Sequence, residues 1–158
     1  MAQQTFDEFF GIQKESTFYI GIDPDREKNG VALYSSAERR LIELLNLSFF
    51  ELFDYLKKWK EQEVKLMVVI EAGWLNEGNW HIKASDNARN AAKIGKWVGG
   101  NHEVGQKIVE MVEYLKIPYR TTIPKRKKFD AETFKTYTNW KKRTNPEQRD
   151  AAMLVYGL

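Results

Sequence analysis

Apolar positions along the chain form runs of two kinds. Thr17 to Asp23 (TFYIGID), Val31 to Ser35, Arg40 to Leu47 (RLIELLNL) and Lys65 to Glu71 (KLMVVIE) are short apolar, β-branched stretches bounded by polar turns, which predicts strands. The polar turn DREKNG joins the first two, and the first three read as an antiparallel meander. KLMVVIE is apolar almost throughout, the pattern of a strand covered on both faces. Helical spacing appears instead at Phe49, Leu52, Phe53, Leu56 and Trp59, with Ser48 as a natural N-cap. A longer helical stretch runs from about Asp86 to Lys116, and its Gly95, Gly99, Gly100 and Gly105 predict close packing or a break near Gly100-Asn101. Pro118 stops it, Tyr119 to Ile123 reads as a fifth strand, and Asp130 to Tyr137 as a short helix. Thr144-Asn145-Pro146-Glu147 then opens a terminal helix through Ala151, Met153, Leu154 and Tyr156. The order β-β-β-α-β-α-β-α predicts an α/β domain over 17–158, preceded by an arm over 1–16.

At 158 residues the chain suits one domain whose core needs no staple, and with no cysteine it has neither disulfides nor thiolate ligands. No apolar run approaches the roughly 20 residues of a membrane-spanning helix. The opening MAQQTFDEFFG is acidic and polar where a secretory signal is basic and then apolar, so a cytoplasmic location is expected. The net charge is only +3, but ten Lys or Arg between Lys116 and Arg143 face two acids, which makes that segment +8 and the remainder −5. Lys125, Arg126, Lys127, Lys128 and Lys135 lie in it, interleaved with Tyr119, Phe129, Phe134, Tyr137 and Trp140. That mixture can pair phosphates and stack on bases; a run of like charge also serves as a solvated surface.

Candidate chemistry lies at the strand ends. A carboxylate at the end of a covered strand costs several kcal/mol by desolvation unless something compensates it. Asp23 closes the first strand and Glu71 the fourth. If those strands are neighbours, both acids meet at one sheet edge. Glu147 and Asp150, spaced i and i+3, point from one face of the terminal helix toward the same position. Four clustered carboxylates call for a cation, and all-oxygen donors suit Mg²⁺ or Mn²⁺, which as a pair hydrolyse phosphodiesters. Each acid also has a plainer reading. Asp23 precedes a proline and suits a turn, and Glu147 completes a Thr-x-x-Glu capping box.

Together these pieces resemble the RuvC-type Holliday junction resolvases of the ribonuclease H-like superfamily. The resemblance runs from about Phe18 to Gly157. It is carried by Gly21-Ile22-Asp23-Pro24 followed by Gly30-Val31-Ala32, by Val69-Ile70-Glu71, by Ala92-Lys93-Ile94-Gly95 with Gly99, and by Glu147-x-x-Asp150-Ala151. It implies a five-stranded mixed sheet flanked by helices, and a homodimer formed through the helix of Gly95 and Gly99. It further implies Asp23, Glu71, Glu147 and Asp150 as ligands of two Mg²⁺ ions, with branched DNA as substrate and symmetric nicking as the reaction. Basic residues between the fifth strand and the last helix would bind the scissile phosphate. Asp25 departs from the family's usual glycine, and Glu147 stands where the family more often has Asp.

Trp74 and Trp80 flank the loop after Glu71 and either stack on DNA bases or pack the loop. His81 and His102, the only histidines, are weak catalytic candidates, and GKWVGG lacks the spacing of a phosphate-binding loop. Two other readings stay open: a nuclease acting on RNA:DNA hybrid or other branched DNA, with Glu51 as an additional acid, and a binding module without catalysis.

Overall fold

The computed structural model describes residues 16–76, 83–85 and 87–158. Nearly all of the expected arm, together with Trp80 and His81, lies outside the described residues. The elements are β1 (Thr17–Asp23), β2 (Asn29–Ser35), β3 (Arg40–Leu47), α1 (Phe49–Lys60), β4 (Lys65–Glu71), a 3-10 turn (Gly73–Leu75), α2 (Ala88–Tyr114), β5 (Tyr119–Thr122), α3 (Ala131–Thr138) and α4 (Pro146–Val155). They form one five-stranded sheet in the order β3-β2-β1-β4-β5. β1, β2 and β3 are antiparallel neighbours, while β4 runs parallel to both β1 and β5. This is the mixed sheet flanked by helices of a ribonuclease H-like fold. Among the described residues no helix is long and apolar enough to cross a membrane.

Strand pleating sorts the core into two layers, because successive side chains point to opposite faces. Ile20, Ile22, Val68 and Ile70 pack with Leu52 and Leu56 of α1 and Ile108 and Val112 of α2. Ala32, Tyr34 and Val69 face the other way, onto Phe134 of α3 and Ala151, Ala152 and Val155 of α4. Burying a face of β4 on both sides explains why its sequence is continuously apolar.

Helix starts follow local chemistry. Ser48 caps α1, as the sequence predicts, and also forms a reciprocal capping box with Glu51. The terminal helix differs: its cap is Asn145, boxed with Gln148, and Pro146 occupies the first turn. The expected Thr144–Glu147 box is therefore displaced by one residue, and Glu147 is released from capping. Thr144 instead accepts hydrogen bonds from Arg149 through its carbonyl and hydroxyl oxygens. Of the two outcomes expected near Gly100-Asn101, close packing or a break, there is no break, since α2 is continuous. Gly100 has a packing role: a Cβ there would lie 2.5 Å from Cδ of Arg26.

Candidate active site

Asp23 and Glu71 end the neighbouring strands β1 and β4, one residue beyond the Ile22–Ile70 pair. Pleat parity puts both on the face that carries Val69 and α4. α4 reaches them because it lies almost backbone-to-backbone on the sheet. A Cβ on Gly21 would sit 2.1 Å from the carbonyl oxygen of Ala151, and one on Gly30 would sit 2.1 Å from that of Glu147. Both distances are far inside van der Waals contact, so only glycine lets this helix settle there. Gly30 pairs with Asp23 in the β1–β2 ladder, so Glu147 and Asp150 arrive beside Asp23.

All four acids line one cleft of about 440 Å³, together with Pro24, Trp74, Trp97, Asn101, His102 and Lys128 among others. A second cleft of about 420 Å³ runs along edge strand β5 and α4, lined by Arg120, Lys125, Lys127 and Phe129. Glu71, Lys128 and Asp150 belong to both. The acids therefore line a cleft that also carries Trp74 and Trp97, and it meets a cationic one.

Lys128 holds the junction of the two clefts. Its Nζ donates to Oε1 of Glu71 at 2.8 Å and lies 3.0 Å from Oδ2 of Asp150. Burial raises the Asp23 carboxyl well above the usual carboxylate range; Glu71 and then Asp150 add repulsion, and Lys128 opposes it. Burial also raises Asp150, against the pull of Lys128. Burial acts to lower the Lys128 ammonium, but Glu71 and Asp150 together outweigh it and hold it above its ordinary value. One ammonium thus serves several carboxyl groups.

The expected metal cage is not formed as a ready-made ligand set: among the described residues, no three acids or histidines are arranged to hold an ion. The physical reason is that Glu71 and Asp150 are drawn to Lys128 instead. The donor chemistry nevertheless fits a hard divalent cation, because four carboxylates line this cleft and its bridging ammonium is 40% exposed on a side chain able to swing outward. Replacing the ammonium should weaken the metal-free protein. For Lys128→Met we expect a loss of about 1 kcal/mol, kept small by solvent screening of the ammonium, and a Tm lower by roughly 2–4 °C. Calorimetric melting in a chelator checks this, and an unchanged Tm would show the ion pairs to be energetically idle.

Asp25, in the place of the family's glycine, lines the same cleft as the four acids, but its carboxylate is committed to the turn itself. Oδ1 accepts from the backbone N–H of Glu27 at 2.8 Å, and the Asn101 amide donates to Oδ2 at 3.3 Å. Asn101 Oδ1 in turn accepts from the N–H of Arg26 at 3.0 Å. One α2 side chain thereby clamps the loop that follows Asp23. Asn101→Ala removes both bonds, at a cost of about 1 kcal/mol each, and should lower Tm by several degrees in a thermal melt.

The other sequence candidates separate. Trp74 lies in the cleft wall but is seated: a Cβ on Gly105 would be 2.4 Å from its Cζ3. Of its two expected roles the structure favours packing. Lys125 and Lys127 line the cationic cleft, whereas Arg126 and Lys135 are exposed and line neither. Glu51 is committed to capping α1: its carboxylate accepts from the Ser48 N–H at 2.7 Å, and Ser48 holds it below the usual carboxylate range. It lines neither cleft, which removes the extra acid expected of the hybrid-cleaving alternative. Trp97 and Asn101 are site residues that sequence patterning does not single out. Their only signal is the shared i, i+4 spacing on a helix following the acidic strand.

No protein-family model matches the sequence, and no curated protein does. Among solved structures, the chain is similar to Thermus thermophilus RuvC in complex with Holliday junction substrate, with TM-score 0.48 and 14% identity over 87% of this chain and 89% of that one. It is similar also to a second Thermus thermophilus RuvC structure, with TM-score 0.46 and 13% identity over 87% of this chain and 90% of that one.

Proposed function

We propose that this protein is a divalent-metal-dependent, structure-selective DNA endonuclease that resolves four-way junctions. The observation that carries the reading is the meeting of Asp23, Glu71, Glu147 and Asp150 in one cleft that opens directly onto a cationic groove. The order of motifs shared with RuvC-type resolvases supports the substrate, and the motifs of α2 support a homodimer that brings two such sites to two strands.

Asp23, Glu71, Glu147 and Asp150 would hold two Mg²⁺ ions, with Mn²⁺ as a substitute; when bound, the ions would supply activation of the attacking water and charge stabilisation at the leaving oxygen. The chain's own residues do the rest. Lys125 and Lys127 draw the phosphodiester backbone along β5 by charge. Lys128, once displaced from the acids, carries its ammonium at the boundary between the two clefts, within reach of a phosphate oxygen. Asn101 keeps the turn after Asp23 from yielding.

The test is cleavage of a synthetic four-way junction beside a linear duplex, with and without Mg²⁺. Junction-selective, metal-dependent nicking is expected, and chelation should abolish it. Equal cutting of both substrates would sink the resolvase but leave a nuclease. Cutting of RNA:DNA hybrid in preference would favour the hybrid reading. Salt-sensitive junction binding with no calorimetric Mg²⁺ signal would leave a binding module alone.

A further inference from the structure

We propose that Trp97 is a stacking platform for an unpaired base of the strand held across the acids, and so selects substrates with an unpaired nucleotide near the cut; this deepens the nuclease reading above and rests on it. The buried residues of α2, Gly105, Ile108, Met111 and Val112, all lie in its C-terminal part. The stretch 88–103, roughly 24 Å long at 1.5 Å per residue, therefore contributes no fully buried residue to the core. Ile94, Trp97, Val98 and Asn101 line the acidic cleft. Their i, i+3, i+4, i+7 spacing defines a single helical face.

On that face Trp97 is 59% exposed. An indole so exposed, in a cleft shared with the four carboxylates, presents its ring to whatever occupies that cleft. The occupant must also satisfy its neighbours. A nucleotide does so, because its phosphate suits the cationic groove beyond Lys128 while its base offers a face to the indole. A paired base within a duplex has both faces already stacked, so only an unpaired one can use Trp97. Trp74, the cleft's other described tryptophan, is seated against the position a Gly105 side chain would fill. A second copy of the chain is the less suitable occupant: Gly95 and Gly99, which have open space around them, lie about 200° from Trp97 at 100° per residue. A contact between copies made there leaves Trp97 free.

The test measures binding in a chelator, so that no cleavage occurs. Fluorescence anisotropy compares a duplex carrying a short internal run of unpaired bases with a fully paired duplex of the same length, for wild type, Trp97→Ala and Trp97→Phe. Trp97→Ala is expected to lose about tenfold in affinity for the unpaired substrate and nothing for the paired one, while Trp97→Phe stays near wild type. A 2-aminopurine in the unpaired run should be quenched by wild type and not by Trp97→Ala. Equal loss on both duplexes, no loss, or no binding by wild type would overturn the proposal, as would a changed sedimentation of Trp97→Ala with affinities intact. Should wild type fail to cut with Mg²⁺ yet keep the Trp97-dependent contrast, the nuclease reading falls and stacking stands. Cutting without that contrast keeps the nuclease and removes the stacking platform.

Discussion

Asp23→Asn should abolish Mg²⁺-dependent nicking, by on the order of 10³-fold, while leaving the fold intact and raising its melting temperature. The two effects share one cause. Burial first, and then Glu71 and Asp150, disfavour the charged form of Asp23 and raise its folded-state pKa. A carboxyl group that binds its proton more tightly in the folded than in the unfolded state loses stability as pH rises between the two values. At neutral pH, then, Asp23 works against folding, and an isosteric amide removes that opposition. The gain in Tm should be negligible below about pH 2.5, where Asp23 is protonated in both states, and should grow as pH rises past the unfolded value near 4. Calorimetric melts of both proteins across pH, paired with junction cleavage, check the two halves separately. A destabilised Asp23→Asn would mean that its carboxylate is a structural partner.

Gly21→Ala should damage stability and activity together. Its Cβ would stand 2.1 Å from the Ala151 carbonyl oxygen, and the obstacle is backbone, with no flexible side-chain end to move aside. α4 must lift off the sheet by about 1 Å, at a cost of roughly 1–3 kcal/mol. That lift carries Glu147 and Asp150 away from Asp23, and misplacement by about 1 Å can cost on the order of 100-fold in rate. Lys58→Ala, on the exposed face of α1 and lining neither cleft, is the control and should change stability by no more than about 0.5 kcal/mol. Urea unfolding and junction cleavage measure both variants. A Gly21→Ala protein as stable and active as wild type would show that this close approach is not needed to assemble the site.

How legible the site was depended on the range of the interaction. Asp23 and Glu71 stood out because acids at the ends of apolar strands violate local patterning, and the parallel β1–β4 register then set them side by side. Lys128 did not stand out. Nothing local separates it from Lys125 or Lys127, and its bonding to Glu71 spans 57 positions. Trp74 and Trp97 carry the same side chain; only the surface opposite each decides that one is seated and the other exposed.

The amino-acid sequence alone determined the strands, the α1 cap and the places where carboxylates interrupt the core. These follow from pleat and helix periodicity and from hydrogen bonds between residues a few positions apart. Tertiary structure alone decided that α2 runs unbroken through Gly100 and that one lysine holds two acids. Those outcomes depend on the distance between elements. That distance is set by what faces Gly21, Gly30 and Gly105 across the packed layers, which no run of neighbouring residues specifies.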